Sequence, residues 1–306
     1  MNKFIVSASP HIKDNSSTTK IMLSVIIALM PTAILSVYYF SYVAALIIVT
    51  SISSCVLFEY LFNMVTKRRH TEMDLSCVVT GLLLALNMPP IKSSIILSII
   101  GAFIAIVVVK MLFGGIGQNI FNPAAAARIF LTASFSAQMT VYVAPLSDGV
   151  TSATPLALIQ EGIVPSYIDM FLGKTAGSLG ETAAITLIAG GIFLIIRGII
   201  TWEIPVTYLA TVALFSCFYG QDPLFNLLAG GVMIGAIFMA TDYTTSPMTR
   251  KGKLIFATGL GIMTASIRRF GANTEGVAYS IIFMNALVPL IDRFTVVKVF
   301  GKVRKR

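Results

Sequence analysis

Three hydroxyl residues, Thr151, Ser152 and Thr154, crowd the end of the run Ser147-Asp-Gly-Val-Thr-Ser-Ala-Thr-Pro155. Gly177-Ser-Leu-Gly-Glu-Thr182 follows about two dozen residues later. A threonine hydroxyl can bind a phosphate or be esterified by one. Glycines and hydroxyls at a helix N-terminus can turn N–H groups toward a phosphate. Gly177, Ser178, Gly180, Glu181 and Thr182 are therefore candidates to surround a phosphate-bearing group held near Thr154. The plain alternative is a surface turn, because Asp-Gly followed by hydroxyls is ordinary loop chemistry.

The elements that position these loops are apolar. The 306 residues are 56% hydrophobic and 11% charged, with a mean hydropathy of +0.87, whereas soluble domains carry about 25% charged residues. A membrane helix needs about 20 apolar residues, fewer when it is broken or sheltered. That criterion predicts ten spans, at residues 21–39, 42–65, 75–88, 95–113, 120–135, 183–200, 204–219, 224–240, 254–267 and 277–291. A polar run (10–19) precedes the first span without a cleavage pattern, so the span is expected to stay as a helix.

Placing the N-terminus inside puts most of the 22 Lys and Arg on the cytoplasmic side, Lys110 and Arg197 among them. Only Lys92, Lys174, Arg268 and Arg269 then fall outside, the asymmetry expected of a multi-pass membrane protein with both termini inside. The expected organisation is a cytoplasmic N-terminal segment (1–20), a five-helix repeat (21–135), an extracytoplasmic loop (136–182), a second five-helix repeat (183–292) and a basic cytoplasmic tail (293–306). The third span of each half is short and ends in a polar, proline-bearing stretch, Asn87-Met-Pro-Pro90 or Asp242-Tyr-Thr-Thr-Ser-Pro247. Such paired discontinuous helices point to an inverted repeat with a midplane site.

Charge within a span calls for a partner. Arg128 is the deepest, and its guanidinium must meet a carboxylate such as Glu59, carbonyls or an anionic ligand. Glu59 reads as a carboxylate reaching back to the cytosol, and Glu275 with Arg268 and Arg269 as part of a small outer polar site. Asn122 and Arg128, with the broken third spans, offer polar groups for a non-covalent cofactor in the bundle. Gly114-Gly-Ile-Gly117 lacks the strand that a dinucleotide fold requires. Cys55, Cys77 and Cys217 lack metal-ligand spacing and read as small core residues, which leaves no zinc or iron–sulfur site. His11 and His70 read as surface residues. The net charge of +9 sits at span ends rather than on a nucleic-acid-binding face, and the tail Lys302-Val-Arg-Lys-Arg306 suits anionic lipid.

At these residues the sequence resembles the membrane flavoprotein subunits of Rnf and Nqr redox pumps, the RnfD/NqrB family. Asp148-Gly-Val-Thr-Ser-Ala-Thr-Pro-Leu156 is similar to their flavinylation motif, which implies FMN joined through its phosphate to Thr154. Ser152 stands where glycine is frequent, so Thr151 and Ser152 are rival acceptors. Gly177–Thr182, Ser9–Ile12, Phe121–Ala124 and Ala240–Pro247 also resemble family stretches. With about 20 residues before the first span, the Rnf D-type subunits are the nearer match and the Nqr B-type the alternative. The resemblance implies an all-α fold of inverted five-helix repeats related to urea transporters. It also implies a complex, with iron–sulfur subunits and a second flavinylated subunit, that passes electrons between ferredoxin and NAD while moving Na⁺ or H⁺. An extracytoplasmic transferase would attach the FMN, and a second, non-covalent flavin such as riboflavin is a further expectation. A urea-transporter-like solute channel would explain the spans but not the Thr154 loop.

Overall fold

The computed structural model describes residues 17–68, 71–147, 150–159, 162–181, 184–271 and 275–296. Among these, all regular elements are helical, and the sole β contact is an isolated antiparallel bridge between Val143 and Thr151. The first helix, α1 (Thr18–Thr66), holds both of the first two expected spans. Straight, its 49 residues would stretch about 74 Å. Instead Ser41 leaves helical geometry at φ 56°, ψ −150°. Thr18, Ile21 and Met22 line one cavity with Lys110, and Lys110 pairs with Glu59 from the far half of α1. The chain therefore reverses at Ser41, between the two apolar runs.

Each half of α1 turns its large apolar residues outward. Leu23, Ile27, Met30, Ile34 and Tyr38 form an exposed stripe at helical spacing, while Ser24, Ala28, Thr32 and Ser36 face the interior. That is the pattern of a helix solvated by lipid, whose neighbours approach over small residues. Ser36 Oγ donates back to the Thr32 carbonyl at 2.8 Å, and Thr32 meets Thr186 of α8 (Ala184–Ile196) at 2.9 Å. Here the backbones nearly touch: a Cβ on Gly190 would lie 2.5 Å from the Ala28 carbonyl oxygen. Because that neighbour is backbone, it cannot swing aside. We expect Gly190→Val to separate α1 from α8 and cost at least about 1–3 kcal/mol, read as earlier thermal unfolding in detergent.

Helices overlap the remaining expected spans, most of them shorter than expected and the last two longer. They are α2 (Ser76–Leu86), α3 (Ser94–Phe103) continued by a π-helical stretch (Ile104–Met111), and α4 (Pro123–Ser134). Short helices α5 (Ser136–Met139), α6 (Pro155–Leu158) and α7 (Tyr167–Leu172) occupy the polar interval. After α8 come α9 (Glu203–Phe218), α12 (Arg250–Phe270) and α13 (Val277–Thr295). Between α9 and α12 the expected span is broken into α10 (Pro223–Leu228), a bend at 229–231, α11 (Val232–Ile234) and a π-helical stretch (Gly235–Met239). Cys55 and Cys77 are buried, as expected of small core residues. Cys217 is not: it is exposed, on the outward stripe of α9 that also carries Leu214 and Phe218.

Side chains fasten the polar interval to the bundle. Tyr39 donates to the Leu172 carbonyl at 2.9 Å, and its own carbonyl accepts from the Leu146 amide. Tyr167 donates to Asp222, the N-cap of α10, whose Oδ1 accepts from the Leu224 and Phe225 amides. The Tyr167 hydroxyl and these amides hold the Asp222 carboxyl below its ordinary range. The depressed value means that this cap stabilises the folded chain at neutral pH and is lost as the pH falls through the folded-state pKa. Asp222→Ala should cost about 1 kcal/mol in thermal unfolding at pH 7, with the gap from the native chain closing in acid.

Candidate functional site

Residues 142–144 and 150–152 pair antiparallel as the two limbs of a small hairpin. The Ser152 amide donates to the Tyr142 carbonyl at 3.0 Å and the Ala144 amide to the Val150 carbonyl at 2.9 Å. The hairpin leaves Thr151 and Ser152 exposed and delivers Thr154, half-buried, to the start of α6. Thr154 is the N-cap, with Oγ1 accepting from the Ala157 amide at 3.3 Å, and Pro155 follows where no amide is needed. Thr154 lines a cleft that neither Thr151 nor Ser152 lines. Gly177, Glu181, Gly230, Glu275 and Leu156 are among the residues that line it with Thr154. Its free volume is about 10 Å³, scarcely one water molecule. Asp148 and Thr182 lie outside the described residues.

The second loop packs tightly against the end of α2. The Leu179 amide donates to the Met88 carbonyl at 3.1 Å and the Gly180 amide to the Leu86 carbonyl at 2.6 Å. These bonds satisfy carbonyls that the end of α2 leaves unpaired. A Cβ on Gly180 would stand 2.9 Å from the side chains of Leu86 and Ile234, so only glycine allows the approach. The Ser178 amide donates to Glu181 Oε2 at 3.3 Å and the Glu181 amide to the Ser178 carbonyl. The amides from Ser178 to Glu181 are thus all engaged within the protein. Ser178 Oγ is buried and, among the described residues, without a hydrogen-bond partner.

Behind the cleft lies a buried ionic cluster. Arg128 donates through Nη1 to Asn87 Oδ1 at 2.6 Å and through Nη2 to Glu181 at 3.0 Å and to Glu275. Tyr142 donates to the other oxygen of Glu275 at 2.9 Å. The partner of Arg128 is therefore not Glu59, which the sequence had offered. The first hairpin, the second loop, α2, α4 and the segment before α13 all converge on one guanidinium. Asn87 and Tyr142 were not singled out from sequence. Asn87 could have been, since it closes a broken span; Tyr142 carried no local signal.

Glu59 departs from expectation too. It is fully buried rather than reaching the cytosol, paired with Lys110 at 2.7 Å and accepting from Thr71 at 2.8 Å. Lys110 is 3% exposed and also donates to Ser76 at 2.6 Å. It answers a buried carboxylate instead of marking a solvated helix end. Lys110, Ser76, Asn119, Asn122 and Asp242 line a second cavity of about 520 Å³. Asn122 caps α4 with Oδ1 and donates from Nδ2 to the Met239 carbonyl at 3.0 Å, joining the start of α4 to the end of the Gly235–Met239 stretch. Asn122 and Arg128, grouped by sequence, are thus divided: Asn122 faces the large cavity, and Arg128 holds the cluster behind the Thr154 cleft.

The whole chain has relatives. Residues 5–301 match the profile of the NQR2, RnfD, RnfE family. The chain is 46% identical to the D subunit of the Na⁺-translocating ferredoxin:NAD⁺ oxidoreductase complex of Acetobacterium woodii, over 98% of this chain and 96% of that one. It is 43% identical to the D subunit of the proton-translocating ferredoxin:NAD⁺ oxidoreductase complex of Clostridium ljungdahlii, over 99% and 98%. With the D subunit of the ion-translocating oxidoreductase complex of Stutzerimonas stutzeri it shares 36%, over 94% and 93%. Its apolar helices with outward-facing apolar stripes and these full-length matches make it a membrane protein, and it belongs to the NQR2, RnfD, RnfE family.

Proposed function

We propose that this chain is the D-type subunit of an Rnf-type complex and carries FMN as a phosphoester of Thr154 on the outer face of the bacterial inner membrane. The observation that carries the reading is the placement of Thr154. It is the half-buried hydroxyl at a cleft, in a chain related over its full length to D subunits of ferredoxin:NAD⁺ oxidoreductases. The cleft has no room for a flavin ring. In this reading Thr154 fixes the phosphoryl group and the ring lies outside the cleft, open to redox partners. When bound, FMN supplies one- and two-electron transfer, and the protein supplies position and electrostatics. An ester bond keeps the cofactor from diffusing away on an open face.

The ten-span inverted repeat, with its boundaries near 135 and 183, belongs to the same reading. Supporting it, α2 ends against Leu179 and Gly180 in the loop just before the second repeat, and the Gly235–Met239 stretch ends against Asn122 of the first. The 520 Å³ cavity is in the size range of cofactor sites, and we assign any non-covalent flavin to it. Asn119, Asn122, Thr80 and Asp242 supply its polar wall. Partners are the other Rnf subunits, a second flavinylated one among them, and an extracytoplasmic FMN transferase. The relatives named for Na⁺ and for protons match almost equally well, so overall similarity does not choose the coupling ion.

In-gel fluorescence under ultraviolet light and intact mass, on chain produced with and without the transferase, test the reading. A fluorescent band and a mass increase equal to FMN less one water are expected only with the transferase. Unmodified chain in both would overturn it.

A further inference from the structure

We infer that Lys110 is the ligand-recognition group of the 520 Å³ cavity. It donates a proton to the electron-rich edge of the ring bound there, and Glu59 sets how much positive charge that edge meets. This rests on the assignment of a non-covalent flavin to the cavity. Lys110 and Ser76 line it and Glu59 does not, so the ion pair turns its cation toward the cavity. An ammonium carries three protons. One goes to Glu59 Oε2 at 2.7 Å and one to Ser76 Oγ at 2.6 Å. Among the described residues nothing accepts the third.

Two further observations place a ligand's acceptor here. A buried lysine and a fully buried glutamate are costly in an apolar bundle, where well-packed apolar residues would often serve stability as well. Ionisable groups inside a membrane mark function by default. Independently, π-helical stretches are rare and frequent at functional sites. The two among the described residues both reach this cavity, Ile104–Met111 through Lys110 and Gly235–Met239 through Phe238. The other charged residue of the lining is Asp242, a carboxylate that would repel an electron-rich edge. The edge therefore belongs at Lys110.

An isoalloxazine ring carries two carbonyls and ring nitrogens along one edge, and negative charge gathers there on reduction. A hydrogen bond to a charged acceptor is stronger than one to a neutral acceptor by about fivefold to tenfold in affinity. Lys110 therefore favours the reduced ring, and the Glu59 carboxylate beside it moderates that preference. Removing both charges should weaken the preference, and removing the carboxylate charge alone should strengthen it. Loss of helix packing would not produce opposite signs.

The test uses full-length chain in detergent, made without the transferase and loaded with riboflavin. The midpoint of the bound riboflavin is measured at fixed pH by anaerobic titration with dithionite in the presence of indicator dyes. Dithionite, oxidised to sulfite, supplies two electrons, and the ring takes one proton from solvent. Lys110→Met with Glu59→Gln should lower the ratio of reduced to oxidised affinity about fivefold to tenfold. That is a fall of about 20–30 mV in the midpoint. Glu59→Gln alone should raise the midpoint. An unchanged midpoint in the double variant, or shifts of the same sign in both variants, would overturn the inference. The double variant removes the buried pair together and is expected to fold. Glu59→Gln leaves a buried cation unpaired, and if it does not fold, the double variant decides alone by whether its midpoint falls. A native chain that binds riboflavin in neither state would remove the cavity assignment and the inference with it, whereas an unchanged double variant removes the inference alone.

Discussion

Thr154→Ala is expected to abolish covalent flavin while leaving a folded chain. The substitution removes the acceptor hydroxyl, so the loss should be complete. Its structural cost is that of one N-cap on a four-residue helix, about 1 kcal/mol, small beside the packing of the surrounding helices. Thr154→Ser keeps a hydroxyl and the cap and should retain part of the labelling. Thr151→Ala and Ser152→Ala should label normally, since both residues sit exposed on the hairpin limb. In-gel fluorescence, normalised to protein and paired with thermal unfolding, separates loss of the acceptor from loss of the fold. Full labelling of Thr154→Ala would contradict the assignment.

The second large effect is on stability. Arg128→Met should destabilise the chain by about 3–5 kcal/mol, because it leaves Glu181 and Glu275 facing each other without their shared cation. The total stability of a domain is only about 5–15 kcal/mol, so low yield and a much earlier thermal transition are expected. The damage comes from the unpaired carboxylates rather than from the lost side chain. Arg128→Met with Glu181→Gln should therefore recover much of it, a non-additivity that two independent sites would not produce. A single variant unfolding with the native chain, or a double variant worse than the sum, would refute the shared-cation account.

The helical framework was legible in the sequence because lipid imposes a length and a hydropathy on each span. The reversal at Ser41 falls between two apolar runs, and the Asn122-Pro123 start of α4 is a local capping signal. The Thr154 loop was legible as a polar interval between apolar ones. What could not be read locally was which charge meets which. Lys110 and Glu59 are 51 residues apart, and Arg128 finds Glu275 across 147. Such pairings are decided by how helices pack. For the same reason Lys110 and Arg268 read as topology signals: a cation near a span end looks alike whether water or a buried acceptor surrounds it. The bend at 229–231 was also hidden, because Ala229-Gly230-Gly231 is apolar enough to continue a span.

The most direct measurement is tandem mass spectrometry of the fluorescent peptide released by proteolysis of chain co-produced with the transferase. Fragments should place a single flavinyl phosphate on Thr154, with Thr151 and Ser152 unmodified. Flavin on Thr151, on Ser152 or on a peptide outside this loop would contradict the central claim.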